Sequence, residues 1–333
     1  MTNRLRKLAI ILLSLIFIGL LAGFGLSALN IRKLTTQLDP PAPSEPSGLR
    51  IELISQELNN PFWRSLESGA REAAESYGME LEYAGPTRID PEEQTRLLEK
   101  AVAKGADALL VQGLNDPVYA RLIDEAVRRG IHVVTVDADE PNSRRIAYVG
   151  SDNELAGAQM GELVARKLDG EGEIGVLLGS EATNQRLRLE GFRNVVSRYP
   201  GLSIADVRIS NISRLQAAEQ AAELLQEFPE LRAIVGFSAL DGLGIAEAVQ
   251  RLGVGDVSVF AFDDLENTKE AIQSGKIEAS VVQHPYRMGE EAVRLLHALL
   301  QGEPLGQSQH VVPTTVLARS PSAPSDGNGS GGE

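Results

Sequence analysis

Between Leu49 and Arg319, short apolar runs rich in β-branched residues alternate with longer stretches in which apolar positions recur every three or four residues. The runs predict strands buried on both faces and the stretches predict amphipathic helices, so the segment reads as βα units on parallel sheets. A first series of strands is predicted at Arg50–Ser55, Glu80–Tyr83, Ala108–Gln112 and His132–Val136. A second follows at Glu173–Leu178, Ser203–Ile209, Ala233–Gly236, Ser258–Ala261 and Ala279–Val282. The class is α/β. Two series of one unit predict two similar lobes, with a cleft at the carboxyl ends of the strands.

The junction Asn59-Asn60-Pro61-Phe62-Trp63 must turn the first strand into a helix. Proline in a first helical turn sacrifices no hydrogen bond, and an asparagine before it caps free N–H groups. From there Phe62, Leu66, Ala70, Ala73 and Tyr77 predict a core-facing stripe, with Trp63 off it at the mouth of the turn, offering an apolar face and one N–H donor. Further helices are predicted at Pro91–Lys104 and from near Thr183.

The ends of the chain follow other patterns. Leu8–Leu29 carries no charge and would span about 33 Å as a helix, the thickness of a bilayer core. Arg4, Arg6 and Lys7 before it, outweighing Arg32 and Lys33 after it, keep the N-terminus inside. Residues 1–34 are thus predicted to form one transmembrane helix that leaves the remainder extracytoplasmic. An uncleaved anchor is favoured over a signal sequence, which would have a shorter apolar region and a better cleavage site than Gly23–Ser27. Four prolines within residues 35–48 predict an extended stalk, and the Ser, Pro, Gly and Asp of 320–333 a disordered tail.

Composition narrows the function. The chain has 333 residues, 43% of them hydrophobic, enough for two medium cores. A net charge of −14 argues against a nucleic-acid surface, which needs a basic stripe. The absence of cysteine excludes disulfides, thiolate metal sites, cysteine nucleophiles and a lipid anchor on an N-terminal cysteine. No G-x-S-x-G, H-E-x-x-H or phosphate-loop motif occurs, and the four histidines, His132, His284, His297 and His310, are scattered. Asp137 and Asp263 would serve as a glycosidase pair only with one raised pKa and a suitable separation. No enzyme activity, cofactor or metal is expected.

Polar groups instead gather at the predicted strand ends: Asn60 after the first strand, Asp137 after Val136, Ser238 after Phe237, Asp263 after Phe262 and Gln283 after Val282. Arg188 adds a fork of donors from the helix near Thr183. Neutral and acidic hydrogen-bonding groups beside aromatic faces suit a polyhydroxylated ligand, whose hydroxyls need donors and acceptors and whose C–H faces lie on rings. A monosaccharide fits best.

Several short segments also carry a resemblance, in order along the chain: Asn59–Trp63, VVTVDAD at Val133–Asp139, VGSDN at Val149–Asn153, RLEGF at Arg188–Phe192, VFAFDD at Val259–Asp264 and SVVQHP at Ser280–Pro285. Together they resemble the ribose-binding-protein branch of the type I periplasmic binding proteins over nearly all of Leu49–Arg319. The resemblance implies two Rossmann-like lobes joined by a three-strand hinge, with crossings near Ser151, Gln283 and Val312. Lobe 1 would take 49–151 and 284–312 and lobe 2 would take 152–283 and 313–319, closing around one sugar by hinge motion. Asn60, Asp137, Arg188, Asp263 and Gln283 would hydrogen-bond its hydroxyls, and Phe62 and Trp63 would sandwich it from the first lobe. The chain departs from the pattern at Ala138, where the family commonly has arginine, at Ile212, in place of an aromatic, and at Ser238-Ala239, in place of an Asn-Asp pair. These changes leave the ligand open among pentoses, hexoses and other small polar molecules. The implied partner is an ABC permease or, alternatively, a sensor histidine kinase. Repressors sharing this fold carry a DNA-binding helix-turn-helix where this chain has its apolar span, so direct DNA control is excluded.

Overall fold

The computed structural model describes residues 48–319; the predicted anchor, the stalk up to Ser47 and the C-terminal tail lie outside the described residues. In chain order the first lobe has β1 (Arg50–Ile54), α1 (Pro61–Ser76), β2 (Glu80–Ala84), α2 (Pro91–Lys104), β3 (Ala108–Val111), α3 (Pro117–Arg128), β4 (His132–Val136) and β5 (Ala147–Gly150). The second follows with α4 (Asn153–Lys167), β6 (Glu171–Leu178), α5 (Thr183–Val196), β7 (Gly201–Ile209), α6 (Arg214–Glu227), β8 (Leu231–Gly236), α7 (Asp241–Leu252), β9 (Ser258–Phe262), α8 (Glu266–Gln273) and β10 (Ala279–Val282). The chain closes with α9 (Pro285–Leu300), β11 (Gln309–Val311) and β12 (Thr315–Ala318).

The strands form two six-stranded sheets, ordered β11-β5-β4-β3-β1-β2 and β12-β10-β9-β8-β6-β7. All neighbours pair in parallel except β10 with β12. Within each sheet the order reverses beside its first strand, β1 or β6, which opens a crevice at the carboxyl ends. The chain passes from one sheet to the other between Gly150 and Asn153, between Val282 and Pro285, and between Val311 and Thr315.

Alternate residues along each strand feed opposite cores. In the first lobe Leu53, Leu110 and Val134 pack under α1 and α9, while Ile54, Leu109 and Val133 face α2 and α3. The second lobe repeats this, with Val176 and Val235 on one side of its sheet and Leu177 and Ile234 on the other. Close helix contact needs small residues: a Cβ on Gly157 of α4 would lie 1.9 Å from the Arg188 carbonyl oxygen, and one on Gly191 of α5 would lie 1.9 Å from that of Glu154. This packing seats α5, and with it Arg188, against the crossing at Ser151.

Two expectations change. The buried stripe of α1 runs through Trp63, Leu66, Ala70, Ala73 and Ala74, whereas Phe62 is half-buried and Tyr77, at the helix end, is exposed and stacked on His297. The buried face is turned from its predicted setting, with Trp63 in the core beside Ile51 and Leu53 and Phe62 packed at its edge. The strands β5, β11 and β12 are additional to the prediction: each has four residues or fewer, and although β5 is buried throughout, β11 and β12 also lie largely in solvent, so length hides the first and both length and exposure hide the other two.

Candidate functional site

The carboxyl ends of both sheets face one narrow cavity, whose interior volume is about 40 Å³. Asn60, Phe62, Trp63, Asp137, Arg188, Ser238, Asp263 and Gln283, the residues singled out from the sequence, all line it. The structure thereby brings together residues spread over more than two hundred positions.

Each side chain is set by its element. Asn60 caps α1: its Oδ1 accepts from Phe62 N at 3.0 Å while its Nδ2 donates to Glu57 Oε2 at 3.2 Å. Capping and lining are therefore joined in one residue. The rings of Phe62 and Trp63 meet edge to face, with centroids 5.7 Å apart and planes at 78°. They make a corner of two apolar faces, and a flat ligand would lie against it.

Asp137 and Asp263 follow the fourth strands of their sheets, each with φ of 63°. The left-handed backbone, tolerated by Asp, lifts the carboxyl out of the strand direction toward the cleft. Asp137 Oδ2 accepts from Gln112 Nε2 and Asn184 Nδ2, both at 3.0 Å. Asp263 Oδ1 accepts from the backbone N and the side-chain Nε2 of Gln283, both at 3.2 Å. Burial pushes the Asp137 carboxyl up, opposed by the Arg188 charge and the two amides. Burial also pushes Asp263 up, to about 6, again opposed by Arg188.

Arg188 is the hub. Although 2% exposed, its guanidinium donates from Nε to Asn153 Oδ1 at 2.9 Å, from Nη1 to the Phe237 carbonyl at 2.8 Å and from Nη2 to Gln283 Oε1 at 2.8 Å. Its central carbon also sits 4.2 Å from the centroid of the Phe262 ring. Burial lowers its pKa, and the carboxylates of Asp137 and Asp263 oppose that. A buried cation is tolerable only when paired and hydrogen-bonded, and here it stands between two acids. Ser151 at the first crossing donates to Gln283 Oε1 at 3.2 Å, which ties the first crossing to the second.

The sequence reading missed Gln56, Gln112, Ser180, Asn184 and Gln185. Gln112 bonds Asp137, and the other four line the cavity. Asn184 lies one helical turn before Arg188 on the same face, a spacing that could have singled it out. Gln112 was placed at the end of its strand without a role; its Oε1 is buried and has no partner among the described residues. Ile212, Ser238 and Ala239 form the wall of the second lobe. Among the described residues, no group of three His, Asp or Glu could hold a metal ion.

This ring of amides, two carboxylates and one arginine offers directed acceptors and donors with an apolar corner. It has no nucleophile paired with a base. Such groups can accept hydrogen bonds from hydroxyls and donate to them.

Comparison with known proteins agrees with that chemistry. Residues 51–304 match the sequence model of the family described as periplasmic binding protein domain. The ribose import binding protein RbsB of Escherichia coli (strain K12) is 26% identical over 285 residues, which cover 83% of this chain and 95% of that one. GanP, a glucose-galactose binding protein from Geobacillus stearothermophilus, is 36% identical with a TM-score of 0.79, covering 82% of this chain and 98% of its own. XylFII is 32% identical with a TM-score of 0.77, covering 82% and 99%, and has also been solved in a XylFII-LytSN complex.

Proposed function

The chain belongs to the periplasmic binding protein domain family, among its type I sugar-binding members of the ribose-binding kind, and on that premise we propose that it is a non-catalytic, extracytoplasmic binding protein whose two lobes close on a monosaccharide and present it to an ABC-type importer. The observation that carries this reading is the Asp137–Arg188–Asp263 array, buried between the lobes beside the Phe62–Trp63 corner. Hydroxyls of a sugar donate to the two carboxylates and accept from Arg188 and the amides, and its C–H face packs on the rings. Asn60, Ser238 and Gln283 complete the contacts. The lobes are bounded at 49–151 with 284–312 and at 152–283 with 313–319, and the N-terminal apolar stretch holds the protein at the membrane. Among the described residues no helix is long and apolar enough to cross a membrane, so the anchor rests on Leu8–Leu29.

A second reading, in which occupancy is signalled to a membrane histidine kinase, draws support from the likeness to XylFII, a protein solved in complex with LytSN. An anchored domain stays concentrated beside either partner. A permease and ATPase encoded beside the gene would favour import; a kinase and response regulator would favour sensing.

Thermal melting of the full-length chain against a panel of pentoses, hexoses and polyols tests the binding reading. A ligand that binds the folded state alone raises the midpoint. One sugar is expected to do so, with the shift lost in Asp137→Ala and Asp263→Ala; no shift with any sugar would sink the proposal.

A further inference from the structure

The wall of the second lobe contains an anomaly. Ile212, which lines the cavity, has φ of 52°, directly after Asn211 at the same angle. Asparagine visits the left-handed region readily, but a β-branched residue there is a true outlier, and it persists only where its surroundings over-determine it.

The surroundings are specific. The Ile212 N–H donates to Ser210 Oγ at 3.2 Å, and the Ser210 hydroxyl in turn donates to Asp241 Oδ1 at 2.5 Å. The second oxygen of Asp241 accepts from Ser238 N at 2.9 Å. One carboxylate thus ties the loop after β7 to the loop after β8, and both loops wall the cavity. Ser210 and Asp241 are fully buried, and Asp241 is not among the cavity-lining residues. The fold makes room for it: a Cβ on Gly236 would lie 2.4 Å from Asp241 Cβ. Burial pushes its carboxyl up to about 6, so a group without ligand contact is retained against a desolvation penalty.

We propose that Asp241 and Ser210 form a buried brace that holds Ile212 in its left-handed conformation, and that the braced wall sets which monosaccharide the second lobe accepts. The proposal rests on the sugar-binding reading above for its second half. Its first half, the restraint itself, is independent of any ligand. Asp241 and Ser210 are positioning residues: they act through Ile212 and Ser238.

Two measurements on the full-length chain test this. Amide deuterium exchange without sugar, followed over residues 209–214, is expected to speed up at least about tenfold in Ser210→Ala and Asp241→Asn, since the hydrogen bond to Ile212 N–H is lost or loosened. Calorimetric titration with D-glucose, D-galactose, D-ribose and D-arabinose is expected to show the ratio of hexose to pentose affinity changing about fivefold or more in Ser210→Ala. In an Ile212→Gly background, where the backbone adopts positive φ without restraint, the same Ser210→Ala change should move that ratio less than about twofold, a non-additivity that a merely structural role would not produce. Unchanged exchange in Ser210→Ala overturns the brace. An equal effect of Ser210→Ala on the ratio in both backgrounds overturns its part in selectivity. If the unsubstituted chain binds none of the four sugars, selectivity among them falls together with the sugar-binding reading, while the exchange measurement still decides the brace.

Discussion

The first lobe and the second present the cavity with the same backbone device and different side chains around it. Asp137 and Asp263 share a φ of 63° and donate their N–H to the next strand, to Val149 O at 3.1 Å and Val281 O at 2.8 Å. Around that shared frame the lobes diverge. Asp137 is met by an amide from its own lobe and one from the other, and its wall is aromatic. Asp263 is met by Gln283 at a crossing, and its wall is Ile212, Ser238 and Ala239. The polarity of the strand ends is thus a property of the repeated unit, and the difference between the lobes is where one sugar can be told from another.

The strongest test of that division removes what the lobes share. Arg188→Met removes the donor to Asn153 Oδ1, leaves Gln283 Oε1 and the Phe237 carbonyl with only Ser151 and Gln185 respectively, and leaves two buried carboxylates without their cation. Removing one partner of a buried charge network costs about 3–5 kcal/mol, so melting should fall sharply and sugar binding should disappear from calorimetry. The paired substitutions Asp137→Asn and Asp263→Asn come next. Each loses charge-assisted hydrogen bonds to ligand hydroxyls of about 1.5–3 kcal/mol, and each should weaken binding on the order of a hundredfold; losses that differ widely would show that the two acids are not equivalent.

The walls should be less equal. Trp63→Ala is expected to weaken binding about thirtyfold, through loss of apolar contact, and Ile212→Ala only a few-fold, measured by the same titration. Acidity gives a smaller effect. Asp263 titrates near 6 in the fold because of burial, so its ionised, accepting form declines as pH falls through that value, and affinity should drop about tenfold between pH 7 and pH 5. Its contribution to the unliganded fold runs the other way: a carboxyl whose folded pKa is raised contributes stability that is complete below the unfolded value of about 3.9 and lost as pH rises through 6. Binding and sugar-free melting at matched pH separate the two trends. The smallest change is expected from Asn184→Ala, less than about fivefold in affinity, together with a larger radius of the sugar-free chain in X-ray scattering as the contact between lobes is released.

Much of this arrangement is legible in residues that end strands. The runs Val133–Val136 and Val259–Phe262 announce their strands through their apolar, β-rich character, and the acid that follows each gains meaning as a cleft residue from the set of strand ends taken together. What was not legible depends on rotation and on distant partners. Trp63 rather than its neighbour Phe62 joins the core with Ile51 and Leu53, a choice between adjacent aromatics that periodicity does not make. Asn184 reaches Asp137 only where the two lobes meet, and Gln112 only because the strands before them lie side by side in one sheet. The left-handed Ile212 is bonded locally, to Ser210 two positions earlier, but the acid that holds Ser210 is Asp241, 29 positions after Ile212, and no local pattern announces it.

The bond from Asn184 to Asp137 Oδ2 runs from the second lobe to the first. A binding-competent state that is rarely visited lowers apparent affinity by the fraction present, and a latch that raises this fraction removes the handicap. Asn184 stands both in the cavity wall and on the contact between lobes, so it bears on the concentration at which the protein half-fills as well as on what it meets there. The strength of one hydrogen bond sets how far that point can be moved.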